Sequence, residues 1–137
     1  MIFKFSEALS LAFHAVVLLS ESGSKKMLVK DMAQKMGVSE NHLSKVVQRL
    51  VKTGIFESSR GRNGGVSLAK KPEEILLFEI YEAIEGPIKL NFCLFKKPIC
   101  SGGICIMGDF LKLTNKMFLE HLKNTKVSDL KGVFLNF

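Results

Sequence analysis

Residues 29–69 read VKDMAQKMGVSENHLSKVVQRLVKTGIFESSRGRNGGVSLA, and the folding of this stretch decides the architecture of the chain. Two short helices joined by a three-residue turn need a small residue where they cross, a left-handed residue in the turn and apolar groups for a shared core. Ala33 is the small residue, and Gly37, four positions later, adopts a left-handed backbone without a Cβ penalty. Met32, Met36, Val38, Leu43, Val46 and Val47 fall where the shared core needs apolar groups. The spacing predicts one helix over 29–36, stopped by Gly37. It predicts another from the N-cap Ser39 through Leu50 to near Gly54, with Val38 and Leu43 as its hydrophobic staple. Two β-prone segments follow, 55–59 and 66–69, joined by RGRNGG, whose glycines permit a hairpin.

With Leu43, Val46, Val47 and Leu50 turned inward, Asn41, Ser44, Lys45, Gln48 and Lys52 face out, flanked by His42 and Arg49. A polar, basic helix face is by itself most often a solvated surface, and a glycine hairpin only a turn. Their succession, helix-turn-helix and then a basic wing, points instead to double-stranded DNA. On that reading Ser39, Asn41, His42, Ser44, Lys45, Gln48 and Arg49 form the contacting face. Asn41 and Gln48 suit base edges, while Lys45 and Arg49 suit phosphate. Arg60, Arg62 and Asn63 at the hairpin tip suit the minor groove, which attracts arginine where it narrows.

Outside this stretch, periodic apolar residues predict a first helix over 6–20 with Ser6 as N-cap. Pro72-Glu73-Glu74 predicts the opening of a fourth helix carrying Ile75, Leu76, Phe78, Ile80 and Ile84 and ended by Gly86-Pro87. A long helix is predicted over 109–123 and a last short one from Ser128. The long helix bears two apolar stripes. Phe110, Leu113 and Met117 are expected to face its own domain, and Leu111, Phe118 and Leu122 a second copy of the chain. A homodimer would set two recognition helices about one DNA turn apart, matching a palindromic operator. The fold class is therefore mainly α with a small β-hairpin wing: a winged helix-turn-helix plus a long C-terminal dimerisation helix. It divides into a DNA-binding domain at 1–86, a cysteine-containing loop at 87–108, and a dimerisation helix with its tail at 109–137.

Composition agrees. The formal net charge of +7 favours a polyanionic partner, and 47% hydrophobic with 24% charged residues excludes a disordered chain. The most apolar stretch, 9–19, is interrupted by Ser10 and His14 and is too short to span a membrane. With no secretory pattern and an odd set of three cysteines, a disulfide scaffold is not expected and the cytoplasm is the expected compartment. No phosphate loop, nucleophile–base pair or acid pair marks an enzyme. A winged protein-docking module is the remaining rival, and the basic stripe argues against it.

Cys93, Cys100 and Cys105 lie six and four residues apart in a segment without clean periodicity. Three soft thiolates in a Gly- and Pro-containing loop suit a cluster or a metal, though not the close pairs of a zinc knuckle. A thiol redox switch is the alternative, and Cys93, within Phe92-Cys93-Leu94-Phe95, would pass alone as core packing. His14, on the apolar face of the first helix, is expected to be a packed histidine, and His121 to be exposed or interfacial.

The stretch GVSENHL at 37–43, then Gly54-Ile55, and RGRNGGVSLA at 60–69 with Pro72 and Ile75 resemble the Rrf-type winged-helix regulators of the IscR/NsrR-like kind. The resemblance runs from Phe5 to about Leu130, and Asn41-His42 with Lys45 looks closer to the NsrR branch. It implies a transcriptional repressor whose operator affinity follows an iron–sulfur cluster, two-iron or four-iron, held by Cys93, Cys100 and Cys105 and sensing nitric oxide, redox or iron–sulfur status. The histidine that follows the third cysteine in IscR-like proteins is absent, since the chain there reads Ile106-Met107-Gly108-Asp109. The resemblance to the NsrR branch implies Glu7 of the partner subunit as the fourth ligand, with Asp109 a second candidate by proximity. Some members lack the cysteines, so a cluster-free repressor controlled by thiol oxidation or a protein partner stays open.

Overall fold

In the computed structural model, which describes residues 5–23, 25–62 and 64–134, the first helix is the central element. Ser6 accepts a hydrogen bond from the Leu9 N–H and so caps α1 (Glu7–Glu21). Leu9, Ala12, Ala15, Val16, Leu18 and Leu19 are all buried, so apolar groups point in nearly every direction around this helix. Helix α2 (Val29–Met36) and helix α3 (Glu40–Lys52) follow, and α3 packs on α1. Each fully buried Leu, Ile or Phe in such a core contributes about 1.5–3 kcal/mol relative to exposure.

The predicted turn is present. Gly37 has φ +67°, and the Val38 N–H reaches back 3.0 Å to the Ala33 carbonyl, closing α2 in a Schellman-type turn. Ser39 then caps α3 by accepting from the His42 N–H. The hairpin pairs β1 (Phe56–Ser59) with β2 (Gly65–Leu68), antiparallel, Phe56 opposite Leu68 and Ser59 opposite Gly65. Met27, from the α1–α2 connection, bonds to Val66 in both directions at 2.9 and 2.8 Å, which adds a third backbone layer to the wing.

Three expectations need correction. Pro72–Glu74 form only a 3-10 turn, and α4 begins later, spanning Leu77–Glu85. The intervening Ile75 and Leu76 are extended because their backbone pairs elsewhere: Val127 N–H donates to Ile75 at 2.8 Å and Leu77 N–H to Thr125 at 3.0 Å. The last predicted helix is likewise a 3-10 turn, Val127–Asp129. In α5 (Phe110–Asn124) the two stripes are exchanged. Leu111 and Leu122 are buried and Phe118 packs edge-on against Tyr81 at 5.6 Å, while Phe110, Leu113 and Met117 stand exposed. Packing against α4 sets that phase. Among the described residues no helix is long and apolar enough to cross a membrane.

Candidate nucleic-acid interface

Burial separates the two faces of α3. Leu43, Val46, Val47 and Leu50 are buried, whereas Asn41, Lys45, Gln48 and Lys52 are exposed and Ser44 is half-buried. The outward face is thus a row of amides, a hydroxyl and two ammonium groups, all on a helix held from behind by α1 and α2. Ser39 is exposed at the start of this row. A groove of about 370 Å³ separates α3 from the wing, with Ser44 and Gln48 on one wall and Ser58 and Ser59 on the other. Arg60 and Arg62 are exposed at the wing tip, and Asn63 lies outside the described residues.

Gly65 shows why the wing sits where it does. Its φ is +145°, and a Cβ there would stand 2.8 Å from the Met27 carbonyl oxygen, so only glycine lets β2 approach the α1–α2 connection. Lys26 belongs to the same junction. Its Nζ donates to the Ser59 hydroxyl at 3.0 Å, next to Arg60. The adjacent Lys25-Lys26 pair is the sequence signal that could have pointed to it. Arg49 behaves otherwise than its neighbours: its guanidinium donates to the Ile84 carbonyl at 3.2 Å, so it is engaged with the end of α4. His42, in the first turn of α3, has Nδ1 3.7 Å from the Glu7 carboxylate.

A helix-turn-helix with an arginine-tipped wing matches, over residues 5–132, the profile of Rrf2, described as an iron-dependent transcriptional regulator. The chain belongs to the Rrf2 family. It is 34% identical over 108 residues to the HTH-type transcriptional regulator NsrR of Shouchella clausii, covering 74% of this chain and 70% of that one. The NsrR of Bacillus licheniformis is 33% identical over 117 residues, covering 84% and 82%. The NsrR of Geobacillus kaustophilus is 37% identical over 89 residues, which span 65% of this chain and 58% of that protein's length. Among solved structures, CymR (YrzC), the global cysteine regulator of B. subtilis, superposes with TM-score 0.76 at 24% identity, covering 93% of this chain and 95% of that one. T. potens IscR gives 0.71 at 26% identity, covering 93% and 85%. The chain is thus an Rrf2-family DNA-binding transcriptional regulator with a winged-helix fold, related to the NsrR branch.

In this Rrf2 chain all three cysteines are free thiols on the connection between α4 and α5. Cys93 is half-buried, and Cys100 and Cys105 are exposed. As a donor set, three unpaired thiols fit an iron–sulfur cluster. Among the described residues no three His, Cys, Asp or Glu side chains are already gathered closely enough to hold a metal. The chemistry fits, and the loop must draw the thiols together to use it. Glu7 is mostly exposed at the start of α1 and Asp109 at the start of α5. His14 is exposed rather than packed in the core: its Nδ1 lies 2.6 Å from the Ser10 carbonyl and its ring meets Phe134 edge-on at 6.2 Å. Position 14 falls with Glu7 and Ser10 on the exposed face of α1. His121 is exposed on α5, beside a surface groove shared with Met117 and Phe118.

Proposed function

We propose that this regulator is a cytoplasmic homodimeric repressor of a palindromic operator, with affinity set by an iron–sulfur cluster on the 87–108 loop. The observation that carries the DNA-contact part is the exposed row Asn41, Lys45 and Gln48 on α3 beside Arg60 and Arg62 on the wing. Asn41 and Gln48 read base edges, Lys45 holds phosphate, Ser39, His42 and Ser44 belong to the same contacting face, and the wing arginines with Asn63 enter the minor groove. Arg49 reaches phosphate only with N–H groups not given to Ile84.

The exposed stripe Phe110, Leu113 and Met117 supports a second copy packed on α5. Cys93, Cys100 and Cys105 hold the cluster, and Glu7 of the partner subunit completes the set. When bound, the cluster supplies a centre reactive toward nitric oxide and oxidants. The loop joins α4, on which Arg49 of the recognition helix rests, to α5 at the proposed dimer face. A change in loop conformation therefore reaches both the reading head and its spacing from the second head. A coupling of about 1–3 kcal/mol shifts affinity roughly 5- to 150-fold. This division makes 1–86 the DNA-binding unit and 109–137 the dimerisation unit.

Anaerobic purification with an absorption spectrum, iron and acid-labile sulfide counts, and operator binding before and after nitric oxide tests the reading. Coloured, iron-containing protein that loses operator affinity on exposure supports it. Colourless, iron-free protein whose affinity follows thiol oxidation instead supports the cluster-free alternative, for which the exposure of Cys100 and Cys105 speaks.

A further inference from the structure

Asn115, in the middle of α5, is the one buried polar side chain among the described residues, at 1% exposure. Its Nδ2 donates to the Asn91 backbone carbonyl at 2.9 Å, while its Oδ1 meets no donor among the described residues. A leucine at this place would fill the same space and leave no orphaned oxygen. The unpaired acceptor is therefore a cost that only the bond from the amide nitrogen offsets. That bond joins positions 24 residues apart and fixes the start of the cysteine loop to α5.

Asn91 carries the constraint one step further. Its Oδ1 accepts from the Cys93 N–H at 2.9 Å, an Asx turn that sets the backbone carrying the first thiol. The Cys93 Sγ in turn accepts from the Phe95 N–H at 3.4 Å. Hydrogen bonds to sulfur are among the contacts by which proteins orient and tune thiolate ligands. Cys100 and Cys105 are exposed on the far part of the loop.

We infer that Asn115 and Asn91 are positioning residues that anchor Cys93 to α5, so that one thiol is held in place while Cys100 and Cys105 close toward it. The inference rests on the proposal that the three thiols act together as ligands, and it gives the loop a fixed end on the helix assigned to dimerisation. Cluster assembly on Cys93 then acts on α5 through one side-chain amide.

The test is pulsed alkylation of the full-length, reduced protein with iodoacetamide, each cysteine followed separately by mass spectrometry. In the wild type Cys93 reacts more slowly than Cys100. The ratio of the Cys93 rate to the Cys100 rate rises severalfold in Asn91→Ala and in Asn115→Leu, while Asn91→Asp, which keeps the acceptor oxygen and adds a negative charge that disfavours the thiolate, shows no rise. The urea unfolding midpoint of Asn91→Ala stays that of the wild type, which a general loosening of the fold would not produce. Asn91 is exposed, so Asn91→Ala decides the matter even if Asn115→Leu fails to fold. An unchanged Cys93 ratio in Asn91→Ala overturns the anchor. Iron content after anaerobic loading with ferrous iron and sulfide is read separately: a wild type that takes up none removes the cluster reading and leaves the alkylation ratio to judge the anchor.

Discussion

Glu7, in the first turn of α1, places its carboxylate 3.7 Å from Nδ1 of His42 in the first turn of the recognition helix. The start of the central helix thus touches the start of the DNA-reading helix within one chain. With the Glu7 side chain 80% exposed, this contact is a weak surface pair, screened by water. Glu7→Gln is therefore expected to change stability by less than about 0.5 kcal/mol in urea unfolding. If Glu7 of the partner subunit is the fourth ligand, the same variant loses iron from anaerobically prepared protein. Retention of iron at the wild-type level would remove Glu7 from the ligand set while leaving the three cysteines in it.

The two structural glycines differ in a measurable way. Gly37 needs its left-handed backbone but has open space where a Cβ would go, so Gly37→Ala is expected to cost about 1–2 kcal/mol. Gly65→Ala meets the Met27 carbonyl as well as an unfavourable φ, and its cost should exceed the roughly 1–3 kcal/mol of backbone strain alone. Denaturant midpoints rank the two. A Gly65→Ala protein as stable as Gly37→Ala would mean that Met27 is not held against Val66.

This contrast also shows what the sequence could and could not reveal. The helix-turn-helix was legible because its demands are local: a small Ala33, a left-handed Gly37 and apolar groups at fixed offsets. The wing was legible as a hairpin, yet the reason for Gly65 was not, because Met27 approaches it from 38 positions away. The opening of α4 misled for the same cause. Pro72-Glu73-Glu74 has good helix-start chemistry, but pairing of Ile75 and Leu77 with Thr125 and Val127 pulls the next residues into an extended path. In α5 both stripes are apolar, so periodicity found the helix and could not choose its inward face. At the candidate site, the outward row of α3 followed from the inward one, whereas the turning of Arg49 onto Ile84 depends on where α4 lies.

The corrected phase of α5 carries its own prediction. Phe118→Ala, which removes a half-buried ring packed against both Phe5 and Tyr81, should lower stability by about 1–3 kcal/mol, less than the roughly 3–5 kcal/mol of a fully buried ring. Leu113→Ser combined with Met117→Ser touches only the exposed stripe and should leave stability within about 1 kcal/mol per chain once monomeric. It should instead convert the dimer to monomer in sedimentation equilibrium. A double variant that stays dimeric would place the interface elsewhere.

Tyr81 offers a spectroscopic check on the α4–α5 contact, since it is the only tyrosine and the chain has no tryptophan. Burial, and then the nearby Glu85 carboxylate, push its phenol above the ordinary value of 10.0. The folded state therefore holds this proton more tightly than the unfolded chain. The associated stability is present below the unfolded value and is lost as pH rises through and beyond it. A near-ultraviolet titration should show phenolate appearing above pH 10.0 and earlier in Phe118→Ala, which opens the site to water. Coincident titrations would argue against Tyr81 being shielded by Phe118.

The central claim is that α3 and the wing form one surface that meets the duplex, and the salt dependence of DNA binding tests it most directly. Each lost phosphate contact should lower the slope of log affinity against log salt by about 0.9. Replacing Lys45, Arg60 and Arg62 with alanine, singly and together, should weaken binding stepwise and flatten that slope by about one unit per phosphate contact removed. The dimer and the unfolding midpoint should remain those of the wild type, because all three side chains are exposed. A triple variant that binds operator DNA with the wild-type affinity and slope would contradict the account.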